Sequence, residues 1–223
     1  MSKKKASRGA SRPARKTARE RGLAARALPK IVAQAALPSR FGRFTILGIE
    51  DGKGKDEAVV LLRGKVDGAA VPLVRIHSQC LTGDVFCSER CDCRGQLELA
   101  LEKIGRAPSG LLLYLPQEGR GIGLMNKLKA YQLQDQGRDT VQANNDLGFA
   151  ADLRNYQFPA AILRLLGVRA VRLLSNNPEK VRQLEEGGVR VIERVPCQPL
   201  VLDNSRAYLR TKKAKLGHVL SGL

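Results

Sequence analysis

Apolar positions along the chain follow two different periods. Phe41–Glu50 (FGRFTILGIE), Ala58–Lys65 (AVVLLRGK) and Val71–His77 (VPLVRIH) are apolar runs separated by Gly- and Asp-rich turns, and they read as strands. Gly95–Ile104 (GQLELALEKI) has helical spacing. Gly110–Leu115 is a short apolar run that predicts a buried strand. A Gly-rich loop follows, and then a helix over Gly123–Gln134 with Leu124, Leu128 and Tyr131 on one face. Phe158–Leu166 predicts a helix and Val171–Leu174 a strand. Asn177-Pro178 forms a turn that opens another helix, because proline is tolerated in a first turn. Val189–Glu193 reads as a further strand, and KKAKLGHVLSGL at the C-terminus as a last helix. Helices between strands imply an α/β layer fold. The early run of strands makes its sheet mixed, with helices flanking it.

Composition changes this picture at the N-terminus. Residues 1–30 carry 11 of the 39 Lys and Arg of the 223-residue chain and a single acid, Glu20. Such a segment cannot bury enough apolar surface to offset its ordering entropy, so the reading is a disordered basic tail over 1–30 and one folded domain over 31–223. The tail has weak affinity for polyanions on charge grounds, and its Arg, Ser and Ala content also fits an organellar transit peptide. It lacks the apolar core of a secretory signal. The body keeps 28 basic against 20 acidic residues, which favours an anionic small molecule. No apolar run is long enough to span a membrane. With no Trp, 5 Phe and 4 Tyr, the chain lacks the aromatics for stacking successive bases.

Candidate chemistry concentrates in four segments. Cys80, Cys87, Cys91 and Cys93 lie within 14 residues, with Cys197 apart. An odd count without a secretory signal points to a reducing, cytoplasmic compartment and a metal site, not to a disulfide framework. Cys80, Cys91 and Cys93 would leave zinc an open position for water; a closed structural site with Cys87 as fourth ligand is the alternative. Aiming both Cys91 and Cys93 at one ion needs a bend, for which Gly83 and Gly95 are the candidates. Gln117–Gly123 (QEGRGIG) is a loop between strand and helix, suited to a phosphate or to an ordinary turn. Asp152 and Arg154 are two apart, so a joint role needs a turn or helix end; a surface ion pair is the plain alternative. Ser175–Lys180 (SNNPEK) either presents a hydroxyl and a Lys to an anion or caps a helix. His77 reads as a packed strand residue, and Tyr131, by spacing alone, as core.

Taken together, RIHSQCLTGDVFCSERCDCRGQLELAL, QEGRGIGLMNKLKAYQLQDQGRDTVQAN, LGFAADLRNY and LLSNNPEK resemble the GTP cyclohydrolase II family, in order, over about residues 38–220. The resemblance implies Zn²⁺ at Cys80, Cys91 and Cys93. It implies GTP contacts at Arg75, Ile76, His77, Ser78, Gln79, Gln96, Glu118, Gly119, Arg120, Thr140, Ser175 and Lys180. It assigns catalytic roles to Tyr131, Asp152 and Arg154, the last as nucleophile or as electrostatic clamp, and it implies Mg²⁺ and a homodimer. Gln79 stands where an acid is common and Ser175 where Thr is common; both keep a hydrogen-bonding group. The activity implied is zinc-dependent opening of the GTP imidazole ring at C8 with release of formate and pyrophosphate, an early step of riboflavin biosynthesis. Some relatives carry an additional N-terminal synthase domain, for which too few residues precede the match, so a stand-alone enzyme is expected. The competing classes are a zinc-stabilised nucleic-acid-binding protein and a relative that binds GTP without turning it over.

Overall fold

The computed structural model describes residues 28–52, 57–67 and 71–222, without the side chain of residue 207. The expected tail lies outside the described residues except for its last three. Lys30 already begins a strand, β1 (Lys30–Ser39), so ordered structure starts earlier than the apolar pattern suggests. β1 was not expected as an element: nearly all of it is exposed, it is rich in Ala, and it carries Pro38, so it shows no alternation. It pairs antiparallel with β2 (Gly42–Glu50), and β2 with β3 (Glu57–Arg63).

β4 (Leu73–Ser78), β5 (Gly110–Leu115), β6 (Ala170–Leu174) and β7 (Arg190–Val195) complete one sheet in the order β1-β2-β3-β5-β4-β6-β7. β3 meets β5 antiparallel, and the last four strands are parallel, so the sheet is mixed as expected. β5 is apolar throughout because both its faces are covered. Leu111, Leu113 and Leu115 face a core shared with Leu47, Val60, Val74 and Ile76, on which α5 (Gln157–Leu165) and α6 (Pro178–Glu186) pack. Leu112 faces the opposite side with Phe44, Leu73 and Leu174, covered by Ala100 and Ile104 of α2 (Cys93–Arg106).

The remaining elements surround the C-terminal ends of the parallel strands. They are the single turn α1 (Leu81–Asp84), a 3₁₀ turn (Glu118–Gly121), α3 (Leu124–Asp135), α4 (Thr140–Asp146) and α7 (Asp203–Leu216). Two expectations change here. On α3 the buried residues are Lys127 and Ala130 while Leu128 is exposed, because this helix faces a polar cleft and not the core. The last helix ends at Leu216 instead of running through the C-terminus, since Gly217 takes the left-handed conformation that stops a helix. Among the described residues, no helix is long and apolar enough to cross a membrane.

Candidate active site

β4, β5 and β6 release the chain on one edge of the sheet, where open α/β sheets form crevices. Ser78 ends β4 and Gln79 and Cys80 follow it, Gln117–Gly123 follow β5 and Ser175–Lys180 surround the start of α6, so segments far apart in sequence line one cleft.

The thiols of Cys80, Cys91 and Cys93 converge, with all three sulfurs within 4.8 Å of one another and Cys80 Sγ 3.6 Å from Cys91 Sγ. Zn–S bonds near 2.3 Å at tetrahedral angles place sulfurs roughly 3.8 Å apart, so the trio fits a metal ion of that kind. The expected bend is made by the entry to α2 at Cys93, and neither glycine supplies it through backbone freedom. Gly83 provides room: a Cβ there would lie 3.1 Å from both Cys80 Sγ and Cys91 Sγ. Gly95 makes room for Pro199. Cys87 stands outside the trio, exposed, with its thiol directed to the Val85 carbonyl. Cys91 and Cys93 hold the Cys80 thiol far below its ordinary value by hydrogen bonding, and Lys127 adds to this. Its bond to Cys80 pushes Cys91 up to about 11.

Three buried carboxylates fix the loops that carry these thiols. Asp84 accepts from the Cys80 amide at 3.0 Å and the Tyr114 hydroxyl at 2.9 Å, and pairs with His77 Nε2 at 3.0 Å. His77 is therefore committed to Asp84 and stacked on Tyr114, with burial holding its pKa below the ordinary value. Glu118 accepts from the Leu81 amide at 2.6 Å and from Lys127 Nζ at 2.7 Å. Asp92, between two of the cysteines, accepts from Lys212 Nζ at 2.7 Å. Lys127 Nζ also lies 3.1 Å from Cys80 Sγ and donates to Thr82 Oγ1 at 2.9 Å, and Thr82 Oγ1 is 3.1 Å from the Tyr131 hydroxyl. Burial raises the Tyr131 pKa, so its phenol keeps its proton at neutral pH.

Cations collect at the other end. Arg154 contacts Asp152 at 2.9 Å and 2.5 Å in a short turn, the local geometry that spacing required. Burial works against the charge of Arg154, but Tyr156 and Asp152 outweigh it and raise its pKa. Burial likewise opposes ionisation of Asp152, and Arg154 lowers its pKa nonetheless. Arg75 is fixed by the Leu174 carbonyl at 3.0 Å and Gln96 Oε1 at 2.5 Å. Lys180 Nζ donates to the Ile76 carbonyl at 2.7 Å. Burial, reinforced by Arg75 and Arg154, pulls the Lys180 pKa well down. Arg75 Nε and Arg120 Nη2 are buried without hydrogen-bond partners, guanidinium groups ready for an anion. Arg120 holds φ 62°, and Gly119 before it φ 61°; a Cβ on Gly119 would meet Ile122 at 2.9 Å.

Of the residues singled out in the sequence, Arg75, His77, Ser78, Gln79, Gln96, Gly119, Arg120, Tyr131, Thr140, Arg154, Ser175 and Lys180 line the cleft beside the three cysteines. Ile76 does not: its side chain is fully buried in the core, and only its backbone serves the site. Glu118 and Asp152 sit behind the lining, each holding a cation. Asn177 caps α6 through the Glu179 amide at 3.0 Å, so the Ser175–Lys180 segment both caps a helix and faces the cleft. Sequence reasoning missed Lys127, Tyr208, Lys212 and His218 as lining residues. Lys127 had a signal, lying one helical turn before Tyr131.

This arrangement has relatives. The family model for GTP cyclohydrolase II matches residues 30–196. GTP cyclohydrolase-2 of Shewanella loihica is 50% identical over 192 residues, covering 86% of this chain and 94% of its own. GTP cyclohydrolase-2 of Cronobacter sakazakii is 51% identical over 193 residues, 86% of this chain and 98% of its own. Riboflavin biosynthesis protein RibBA of Bacillus subtilis is 54% identical over 185 residues, 82% of this chain but 46% of that longer protein, so the chain spans about half the length of relatives of this second kind. A match that runs from the first strand of the sheet to its last, and takes in the three cysteines and the loops after β4, β5 and β6, makes the chain a member of the GTP cyclohydrolase II family.

Proposed function

We propose that the chain hydrolyses GTP, opening the imidazole ring at C8 and releasing formate and pyrophosphate, to leave the diaminopyrimidinone ribosyl phosphate of riboflavin biosynthesis. The observation that carries this reading is the presence of a thiol trio and a cationic cluster in one cleft. Two chemistries on one nucleotide need two such ends: a metal centre for the base and positive charge for the triphosphate.

The trio suits Zn²⁺, which when bound supplies a Lewis acid and a water that ionises near neutral pH. The chain's own residues do the rest. Tyr131, protonated and oriented through Thr82 and Lys127, serves as proton donor to the departing ring nitrogen. Glu118 keeps Lys127 charged and in place beside Cys80. Arg75, Arg120, Arg154 and Lys180 receive the phosphates, and Asp152 fixes the Arg154 guanidinium. Its raised pKa supports Arg154 as a cationic clamp over Arg154 as a nucleophile, since a guanidinium must lose a proton before it can attack. Mg²⁺ as the counter-ion of the triphosphate, a homodimer as the working unit, residues 31–223 as the catalytic unit and a cytoplasmic setting belong to the same reading.

Incubation with GTP, Zn²⁺ and Mg²⁺ tests it: formate and a diaminopyrimidinone product are expected. GTP bound without either product would make the chain a silent relative. Zinc held by four thiolates with salt-steep duplex binding would instead favour the nucleic-acid reading.

A further inference from the structure

The C-terminal segment is the wall of the cleft that no sequence motif accounts for. Helix α7 and the residues after it deliver Tyr208, Lys212 and His218 to the lining. They are firmly placed. The His218 amide donates to the Lys212 carbonyl at 3.2 Å, and the Val219 amide to the Asn176 carbonyl at 2.9 Å. Leu220 is buried beyond them. The backbone that carries the imidazole is thus held to α7 and to the loop that leaves β6.

Its surroundings are cationic from every side. Lys212 of α7, Arg154 of the turn before α5, Lys180 of α6 and Arg120 of the 3₁₀ turn all act on the ring. Burial and these charges hold the His218 pKa down at about 3, so the ring is neutral at pH 7. Asp92 and Asp152 partner Lys212 and Arg154, whereas Arg120 keeps an unpartnered buried nitrogen and Lys180 meets the Ile76 carbonyl and the face of Tyr156. Four basic side chains thus have two carboxylate partners, and a polyphosphate supplies the missing negative charge.

We propose that His218 is a substrate-contacting residue that hydrogen-bonds a phosphate oxygen of the bound nucleotide. This rests on the reading of the cationic end as the phosphate site. A phosphate between the ring and the four cations cancels their field, so His218 takes up a proton from solvent and donates it in a charge-assisted hydrogen bond.

The chain has only 2 His, so its imidazole nitrogen spectrum is simple, and the His218→Gln variant assigns the two signals. Inorganic pyrophosphate, added to zinc-loaded protein, should move the His218 resonances toward the protonated pattern. His218→Ala should weaken pyrophosphate binding about tenfold, roughly one charge-assisted hydrogen bond, and His218→Gln should weaken it less. Should the Ala variant lose cooperative melting, the Gln variant and the wild-type spectrum decide. A His218 signal unmoved at saturation, wild-type affinity in the folded Ala variant, or no binding of pyrophosphate at all would overturn the assignment. Formate release from GTP by the wild-type chain is scored separately, so it survives or fails independently of His218.

Discussion

Lys127 carries a buried charge on which two loops depend. It joins Glu118, after β5, to Cys80, after β4, and its side chain is 10% exposed. Removing one partner of a buried pair leaves the other charge uncompensated, at about 3–5 kcal/mol. Lys127→Met should therefore lower unfolding free energy by about that amount in urea titrations, and adding Glu118→Gln should recover part of it. No recovery in the double variant would show that the two side chains are not coupled. Cys87 illustrates the opposite case. Standing outside the trio and exposed, it should be dispensable: Cys87→Ala should retain stoichiometric metal by elemental analysis and retain formate release, whereas Cys91→Ala should lose both. Equal metal loss in the two variants would restore Cys87 as a ligand. At this scale the sequence exposed the thiols, because their types and spacing are distinctive. It did not expose Lys127 or His218, because a Lys on an amphipathic helix and a His in a basic terminus look like ordinary surface residues until the cleft brings them in.

Among the elements of the described residues, β1 comes first. It closes the antiparallel side of the sheet by pairing along β2, from Lys30 opposite Glu50 to Ser39 opposite Gly42. A chain starting at Pro29 should keep its rate on GTP and lose weak polyanion binding. A chain starting at Arg40 would bare the β2 edge and should aggregate, seen as a shift to large species in light scattering. A tenfold loss of activity in the first, folded variant would implicate the basic segment in the site. Most strands and helices could be read from period and turn chemistry: a continuous apolar run marked β5, and Asn177-Pro178 marked α6. β1 could not, because an exposed Ala-rich edge strand has no buried face to impose alternation. α4 was also missed; it is short and polar, and it is held by the Asp139 capping box and a Lys215–Asp139 ion pair instead of by an apolar stripe.

For the molecule as a whole, charge couples substrate binding to pH. His218 is held at about 3 in the fold, against ~6.5 for an unfolded histidine. Between those values the unfolded chain binds the additional proton. This residue's contribution to stability is therefore complete above pH ~6.5 and is lost as pH falls toward 3. His218→Gln should flatten the dependence of unfolding free energy on pH in that window, and an unchanged slope would show that the ring is not shielded as described.

The central claim is a division of labour within one cleft, with base chemistry at the thiol trio and phosphate chemistry at Arg154. Parallel quantification of formate and pyrophosphate from GTP tests it most directly, in the zinc-loaded protein, the zinc-stripped protein and zinc-loaded Arg154→Ala. The account predicts both products from the first, residual pyrophosphate without formate from the second, and suppressed pyrophosphate with metal still bound in the third. Equal loss of both products on stripping zinc, with GTP still bound, would contradict it.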